Sequence, residues 1–210
     1  MKSSGGRQDG VEDRILDAAD RLLARDGYQK MTMDNLAHEA GIATGAIYLY
    51  FLSKADVALA HVDRIAARVL QELQRIAAGS ASTADKLRQM ILLRVMIRFD
   101  SVQHYPETIS EVIRDIGPEL LQQRESHFAA ETRVFAEVLK EAAEAVAVPP
   151  SERTAVAAAI IAATNALLPY NLSASELGRR REVADKTERI ASMLLLGLLR
   201  SERAPKRRAA

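Results

Sequence analysis

The sequence contains no cysteine, and aromatic residues make up only 4% of its 210 residues. Without cysteine, neither a disulfide framework nor a thiolate metal or redox site can form. The net charge is +1, which by itself argues neither for nor against a nucleic-acid partner. No apolar run is long enough to span a bilayer, and the first residues are polar rather than a signal core. We therefore expect a cytoplasmic protein without a membrane partner.

Apolar residues recur along almost the whole chain at the three-to-four spacing of amphipathic helices. Hydrophobic residues make up 48% of the sequence, which is enough for a substantial core. No segment alternates with the period of a β-strand. The sequence therefore predicts an all-α protein.

The first helices are short and are separated by turn residues. Residues 1–10 predict a flexible arm, and the first helix runs from Val11 to a stop at Gly27. Thr32 is the predicted N-cap of a short second helix that Gly41 ends. A third short helix follows, and residues 11–56 make up the predicted N-terminal domain.

Longer helices follow in the predicted C-terminal domain, residues 57–200. Ser53 is the predicted cap of the first of them, and residues 79–83 resemble a linker. Pro118 is expected to interrupt the pattern, because proline cannot donate a helical hydrogen bond. Residues 201–210 form a basic tail. The predicted helices after the linker are Leu87–Phe99, Glu107–Ile116, Glu119–Val148, Ser151–Leu168 and one from the polar turn at 171–175 to Arg200.

Residues 32–50 carry the strongest functional pattern. Two short helices flank a tight turn at residues 41–43, and the first helix of the chain precedes them, which is the helix-turn-helix arrangement. The second helix of such a pair lies in the major groove of DNA. Gly45 and Ala46 have little or no side chain, so this helix can approach DNA closely. Thr44 can bond to a base edge or to a phosphate.

The predicted partner is double-stranded DNA. Tyr48 and Tyr50 are either half-buried packing residues or hydroxyl donors to phosphate, and the motif favours phosphate contact. Lys54 adds a positive charge near the amides of a helix N-terminus. The predicted DNA contacts are Thr32, Ala43, Thr44, Gly45, Ala46, Tyr48, Leu49, Tyr50 and Lys54.

The charge of this region argues against a simple basic patch. In residues 1–56 the acidic side chains outnumber the basic ones. Binding would then depend on local placement of Lys2, Arg7, Lys30 and Lys54, and on neutral donors to phosphate. Steep salt dependence is still expected.

The stretch TMDNLAHEAGIATGAIYLYFLSK, Thr32 to Lys54, resembles the signature of the tetracycline-repressor (TetR) family, and residues 15–19 and 27–28 also match it. The resemblance covers about residues 11–60. It implies about nine helices, a homodimer, a near-palindromic operator and repression relieved by a small molecule. Ala43 and Leu52 depart from the family pattern, since the family commonly has a hydroxyl residue and a polar or basic residue at these positions.

The effector site implied by this resemblance has only weak candidates in the sequence. Arg94 and Arg98 lie one turn apart and either hold an acidic ligand or face solvent, with solvent favoured. We predict no metal site, because the histidines lack ligand spacing, and no other cofactor. The effector candidates are Phe99, His104, Tyr105, His127, Phe128, Asn165 and Tyr170.

The last two predicted helices favour a dimer. The helix after Ser151 is dense in small residues, and the final helix is apolar on more than one side, so one face can pack on a partner subunit. The sequence thus predicts a homodimeric DNA-binding repressor released by a small molecule. An activator or a regulator without a ligand is the nearest alternative. A helical enzyme or an interaction scaffold is more distant, because no catalytic arrangement or phosphate loop is recognisable.

Overall fold

The computed structural model describes residues 5–141, 147–172 and 174–198. All regular secondary structure in these ranges is helical, which confirms the all-α prediction. The helices are α1 (Gly5–Asp26), α2 (Met33–Glu39), α3 (Thr44–Ile47), α4 (Lys54–Ala77), α5 (Thr83–Val102), α6 (Pro106–Glu141), α7 (Arg153–Asn165), α8 (Ala174–Leu177) and α9 (Arg180–Leu198), with 3-10 turns at Pro150–Glu152 and Pro169–Asn171.

The helix boundaries follow from local chemistry at several predicted positions. The Thr32 hydroxyl accepts a hydrogen bond from the backbone N–H of Asn35 at 3.1 Å, and Ser53 accepts one from Asp56 at 3.1 Å. Both side chains cap helices as predicted. Gly27 and Gly41 have φ of 78° and 66°, in the left-handed region that favours glycine.

The N-terminal end of α1 differs from its prediction. Residues 5–10 form the first turns of α1 instead of a flexible arm. No proline lies in this segment, so the helix that starts the core can extend outward from Val11. Residues 1–4 lie outside the described part of the chain.

The predicted break in the middle of the C-terminal domain is wrong. α6 continues through Gly117 and Pro118 as one helix of 36 residues. Pro118 costs one backbone hydrogen bond to the carbonyl of Arg114. Ile116 and Leu120 on either side are buried, and their packing holds the segment helical.

Both ends of α7 differ from the predicted helix Ser151–Leu168, and a proline lies near each end. Ser151 does not cap α7, because a 3-10 turn from Pro150 leads directly into it. The helix ends at Asn165 rather than Leu168, since Leu168 is extended before Pro169. Residues 142–146, 173 and 199–210, with the predicted basic tail, lie outside the described residues.

α1, α2 and α3 form a small N-terminal bundle that packs on α4. Its core includes Ile15, Leu22, Leu36 and Ile47, all without solvent exposure. A second core joins α4, α5, α6, α7 and α9. None of the helices in the described ranges is long and apolar enough to cross a membrane.

Three charged side chains are buried together between α5 and α6. Arg94 is 0% exposed and Glu131 is 1% exposed, with Arg98 beside them. The solvent-facing interpretation of the two arginines is therefore wrong. Leu87, Ile91, Val95 and their neighbours form the buried stripe of α5, and the arginines fall on that same stripe at helical spacing.

Glu131 joins the two arginines. One carboxylate oxygen accepts from Arg94 Nε at 2.8 Å, and the other accepts from Arg98 Nη2. Burial alone would raise the pKa of Glu131, but the charges of Arg98 and Arg94 bring that pKa below its ordinary value. The carboxylate is therefore ionised and holds the two cations in place. We call Arg94, Arg98 and Glu131 the buried ion cluster.

Replacing the carboxylate of Glu131 tests how much the buried ion cluster contributes to the stability of the fold. We expect Glu131→Gln to lower the free energy of unfolding by about 3–5 kcal/mol, because both guanidinium groups then lack a counter-charge in the interior. Urea denaturation followed by circular dichroism at neutral pH measures the change. Glu137→Gln, on the exposed side of the same helix, should stay within about 0.5 kcal/mol of the parent. Equal losses in the two variants would contradict this role.

Candidate DNA interface and effector cavity

The third helix turns one face to the core and the other to solvent. Ile47 is 0% exposed and Phe51 is buried, as predicted. Leu49 is 83% exposed, and Ala43, Thr44, Gly45 and Tyr48 are exposed as well. A Cβ atom added at Gly45 would meet nothing within 4 Å. This exposed face is free to approach another molecule.

The predicted contact residues lie on one side of the N-terminal bundle. Thr32, Thr44 and Gly45 are exposed, whereas Ala46 and Tyr50 are half-buried. Ala43 occupies the N-cap position of α3 and makes no side-chain cap. Thr44 is the first helical residue and does not take over the cap.

Arg14 fixes the turn between α2 and α3. Its guanidinium donates to the carbonyls of Ala40 at 2.6 Å and Gly41 at 2.9 Å. Glu39, at the end of α2, accepts from Arg21 at 2.7 Å and Arg25 at 3.2 Å. The contacts with α1 therefore hold the helix-turn-helix in one orientation. Sequence reasoning counted these arginines only as charges.

Lys54 has partners within its own domain. Its Nζ donates to the carbonyl of Tyr28 at 3.2 Å and lies 4.3 Å from the centre of the Tyr28 ring. An ammonium group has three N–H donors, so the Tyr28 contact leaves donors for a phosphate. Phosphate contact by Lys54 stays a prediction.

Three acidic residues of α1 share one basic residue of α4. Arg64 lies 2.7 Å from an Asp17 oxygen, 3.0 Å from Asp20 and 3.9 Å from Asp13. The excess of acid in this region is therefore partly neutralised within the domain. Lys30 is exposed, while Lys2 and the side chain of Arg7 lie outside what the structure describes.

An apolar cavity of about 90 Å³ lies beneath this domain, between α1, α4, α5, α6 and the Pro169–Asn171 turn. Its walls are mostly aliphatic. The apolar lining includes Val62, Ile65, Val102, Ile109, Val112, Ile113 and Leu120, and the polar lining is His61, Arg98, Tyr105, Arg124, His127 and Tyr170.

Three of the predicted effector residues line this cavity: Tyr105, His127 and Tyr170. Phe99 is buried in the core outside its lining, and His104 lines a separate, more open cleft beside Arg64 and Arg68.

Two other candidates support the buried ion cluster from outside the cavity lining. The Phe128 ring lies 5.7 Å from the Arg94 guanidinium and 6.0 Å from that of Arg124. The Asn165 amide oxygen accepts from Arg94 Nη2 at 2.9 Å.

Sequence reasoning missed His61 and Arg124 as lining residues, and it considered Arg98 as a partner of an acidic ligand but favoured solvent. His61 and Arg98 each fall on the buried stripe of a helix, and a polar residue at such a position is the signal that could have identified them. No comparable signal marks Arg124, which is half-buried on α6.

His61 is held neutral at one wall of the cavity. Burial lowers its pKa, although the charge of Asp20 opposes the shift. Its Nε2 lies 3.2 Å from an Asp20 oxygen and 3.3 Å from the Tyr105 hydroxyl, while its buried Nδ1 has no partner in the described structure. No group of His, Asp and Glu side chains in the described ranges could hold a metal ion.

The α6 helix connects the cavity to the DNA-binding region. Tyr28, in the turn before α2, donates its hydroxyl hydrogen to Asp115, and Gln29 N donates to Glu111 at 3.3 Å. Burial and the nearby Asp115 raise the pKa of Tyr28, so the phenol stays protonated as the donor. The residues of α6 that line the cavity run from Ile109 to His127, so they lie on both sides of these contacts along the helix.

Known proteins share both the N-terminal sequence and the overall fold. The model of the bacterial regulatory proteins of the tetR family matches residues 15–61. An uncharacterized HTH-type transcriptional regulator of Haemophilus influenzae is 33% identical over 80 residues, which are 38% of this chain and 43% of that protein. The match thus spans less than half the length of this curated relative.

The fold similarity extends through the C-terminal domain. The crystal structure of a transcriptional regulator from Cytophaga hutchinsonii superimposes with a TM-score of 0.72 and 17% identity, covering 90% of this chain and 99% of that one. The structure of SmeT with triclosan has a TM-score of 0.64 and 19% identity, covering 94% and 96%. Residues 15–61 are thus similar to the N-terminal region of the tetR family of bacterial regulatory proteins, and the chain shares its fold with solved transcriptional regulators.

Proposed function

We propose that this protein is a cytoplasmic transcriptional repressor that binds a near-palindromic operator as a homodimer and is released by a small-molecule effector. The exposed face of α3, held by the buried Ile47, is the observation that carries the proposal. Its small and hydroxyl-bearing residues suit close approach to a major groove. We assign DNA binding to residues 11–56, and effector binding and dimerisation to residues 57–200.

Phosphate contacts would position the domain on the duplex. The hydroxyls of Tyr48, Tyr50 and Thr32 and the ammonium of Lys54 border the α3 face and can donate to phosphate oxygens. Thr44, Gly45, Ala46 and Leu49 would face the bases. The compensation of the α1 acids by Arg64 supports this arrangement, because it reduces the repulsion between the domain and DNA.

The cavity supports release by an effector. α6 lines it and also contacts the turn that carries Tyr28, so a ligand that shifts α6 would also shift the bond from Tyr28 to Asp115. Such a ligand releases DNA only if it binds the two arrangements with different affinity. The complex of SmeT with triclosan shows a protein of similar fold with a small aromatic molecule, which supports an effector for this chain.

Exposed faces of α7 and α9 support the homodimer. Met193 is 73% exposed and Leu196 is 83% exposed on α9. α7 exposes a row of small residues, which permits close helix approach: Ala155, Ala158, Ala159, Ala162 and Ala163. Two such pairs related by a two-fold axis would bury both faces in a four-helix interface. The short α8 lies between these helices in the chain.

Selection from random-sequence duplexes tests the DNA-binding proposal. We expect the purified protein to enrich a near-palindromic site, and the double variant Tyr48→Ala/Lys54→Ala to enrich none, because it loses donors beside α3. Sequencing of the bound duplexes at a stated salt concentration measures both.

Lys140→Ala, on the exposed end of α6, is the matched control and should enrich the same site as the parent. Circular dichroism must show that the double variant is folded, since Lys54 also contacts Tyr28. Failure of the parent to enrich any sequence would contradict the proposal.

Introducing negative charges on the exposed face of α9 tests whether this face forms the dimer interface. We expect Met193→Glu/Leu196→Glu to make the protein monomeric, because two carboxylates per subunit would have to be buried in the interface. Analytical ultracentrifugation measures the mass. Leu121→Glu replaces another exposed leucine, on α6, and should leave a dimer. A parent protein that sediments as a monomer would exclude this interface.

A further inference from the structure

The apolar cavity has two guanidinium groups in its wall. Arg98 reaches it from α5 and Arg124 from α6, among side chains that are otherwise mostly aliphatic. An arginine presents a rigid fork of five N–H donors that matches the geometry of a carboxylate. Arg98 is buried and Arg124 is half-buried, so the cavity wall combines aliphatic side chains with two positive charges.

The buried ion cluster contains one more positive charge than negative charge. Arg94 and Arg98 share the single carboxylate of Glu131. Burial lowers the pKa of Arg94, while Glu131 opposes the shift and Arg98 adds to it. Within the described residues, no second carboxylate contacts either guanidinium. The interior beside the cavity therefore lacks one negative charge.

The two arginines of the cluster differ in how fully their donors are used. Arg94 donates to Glu131, to Thr164 Oγ1 and, at 2.9 Å, to Asn165. Arg98 uses Nη1 for the carbonyl of Arg94 at 2.9 Å and Nη2 for Glu131. Its Nε–H has no protein acceptor in the described structure. Arg98 is also the one of the two that lines the cavity.

Arg124 supplies a second cation that is not neutralised. Among the described side chains its polar partner is the Asn171 amide oxygen, at a long 3.4 Å, and it makes no ion pair. Asp63 lies 2.9 Å from Nε2 of His127, another lining residue, and also accepts from Gln123 at 3.3 Å. Asp63 is thus already engaged, and Arg124 can serve a ligand.

Tyr170 places a neutral donor beside these charges. It lines the same cavity as Arg98 and Arg124, and burial raises the pKa of its phenol although the charges of Arg98 and Arg94 oppose the shift. The phenol stays protonated and lines the cavity. A hydroxyl donor beside two guanidinium groups complements an oxyanion.

We propose that the effector is an amphipathic organic monoanion whose carboxylate meets Arg98 and Arg124 and whose apolar part fills the aliphatic remainder of the cavity. A single negative charge balances the one that the buried ion cluster lacks. This inference rests on the proposed role of the cavity as an effector site, and it names the chemical class of that effector.

Calorimetric titration of the full chain without DNA tests the inference. The probes are hexanoate, octanoate, decanoate and benzoate, each paired with its primary amide, which keeps the shape and removes the charge. We expect at least one carboxylate to bind at least about tenfold more tightly than its amide, because a hydrogen bond to a charged group is stronger than one to a neutral group.

Two variants locate the source of that preference. Arg124→Gln and Arg98→Met should each reduce the preference for the carboxylate by about tenfold. Arg98→Met leaves the pair of Arg94 and Glu131 balanced in charge; if this variant does not fold, Arg124→Gln carries the test. Arg133→Gln, on the exposed side of α6, removes the same charge away from the cavity and should keep the preference.

The proposal is overturned if no carboxylate binds, if the amides bind as tightly as the acids, or if the preference survives both variants. If a carboxylate binds, the affinity of the protein for its operator is measured in a separate experiment, with and without that carboxylate. A carboxylate that binds through Arg98 and Arg124 without releasing DNA would support this inference and contradict release by an effector. The calorimetric experiment contains no DNA, so its outcome does not depend on whether the protein binds an operator.

Discussion

The C-terminal domain depends on the ion pairs of one buried carboxylate. Glu131 on α6 holds Arg94 and Arg98 on α5, and Arg94 extends the contacts to Thr164 and Asn165 on α7. These bonds fix the relative position of three helices in an interior where aliphatic side chains alone would permit repacking. Because Arg98 also lines the cavity, the interaction that orders the core also places a cation in the cavity wall.

The N-terminal domain shows a similar use of charge. Its arginines do not form a basic surface: Arg14 binds the carbonyls at the end of α2, and Arg21 and Arg25 bind Glu39. Arg64 of α4 offsets part of its acidic charge. The charges of this domain therefore orient the helix-turn-helix, and neutral donors around α3 are left for the backbone of a duplex. This explains how a domain with more acids than bases can still present a face suited to DNA.

The sequence predicts local features well and packing poorly. The caps at Thr32 and Ser53 were predictable, because a hydroxyl before a helix has a local partner. The continuity of α6 through Pro118 was not, since it depends on the burial of Ile116 and Leu120 by distant helices. The helical spacing of Arg94 already placed it on the apolar stripe of α5. Its partner Glu131 lies 37 residues away in sequence, and only the fold brings the two together.

α6 is one element that connects the cavity with the helix-turn-helix in the described structure. Asp115 and Glu111 contact the turn before α2, while Ile113 and Arg124 line the cavity on the same continuous helix. Val112 and Ile113 line the cavity within the same turn of α6 that carries Glu111 and Asp115, so the two sites adjoin along this helix. Coupling between binding sites is also reciprocal. If filling the cavity weakens operator binding, the operator weakens effector binding by the same factor, and the contact of Tyr28 with Asp115 contributes to both.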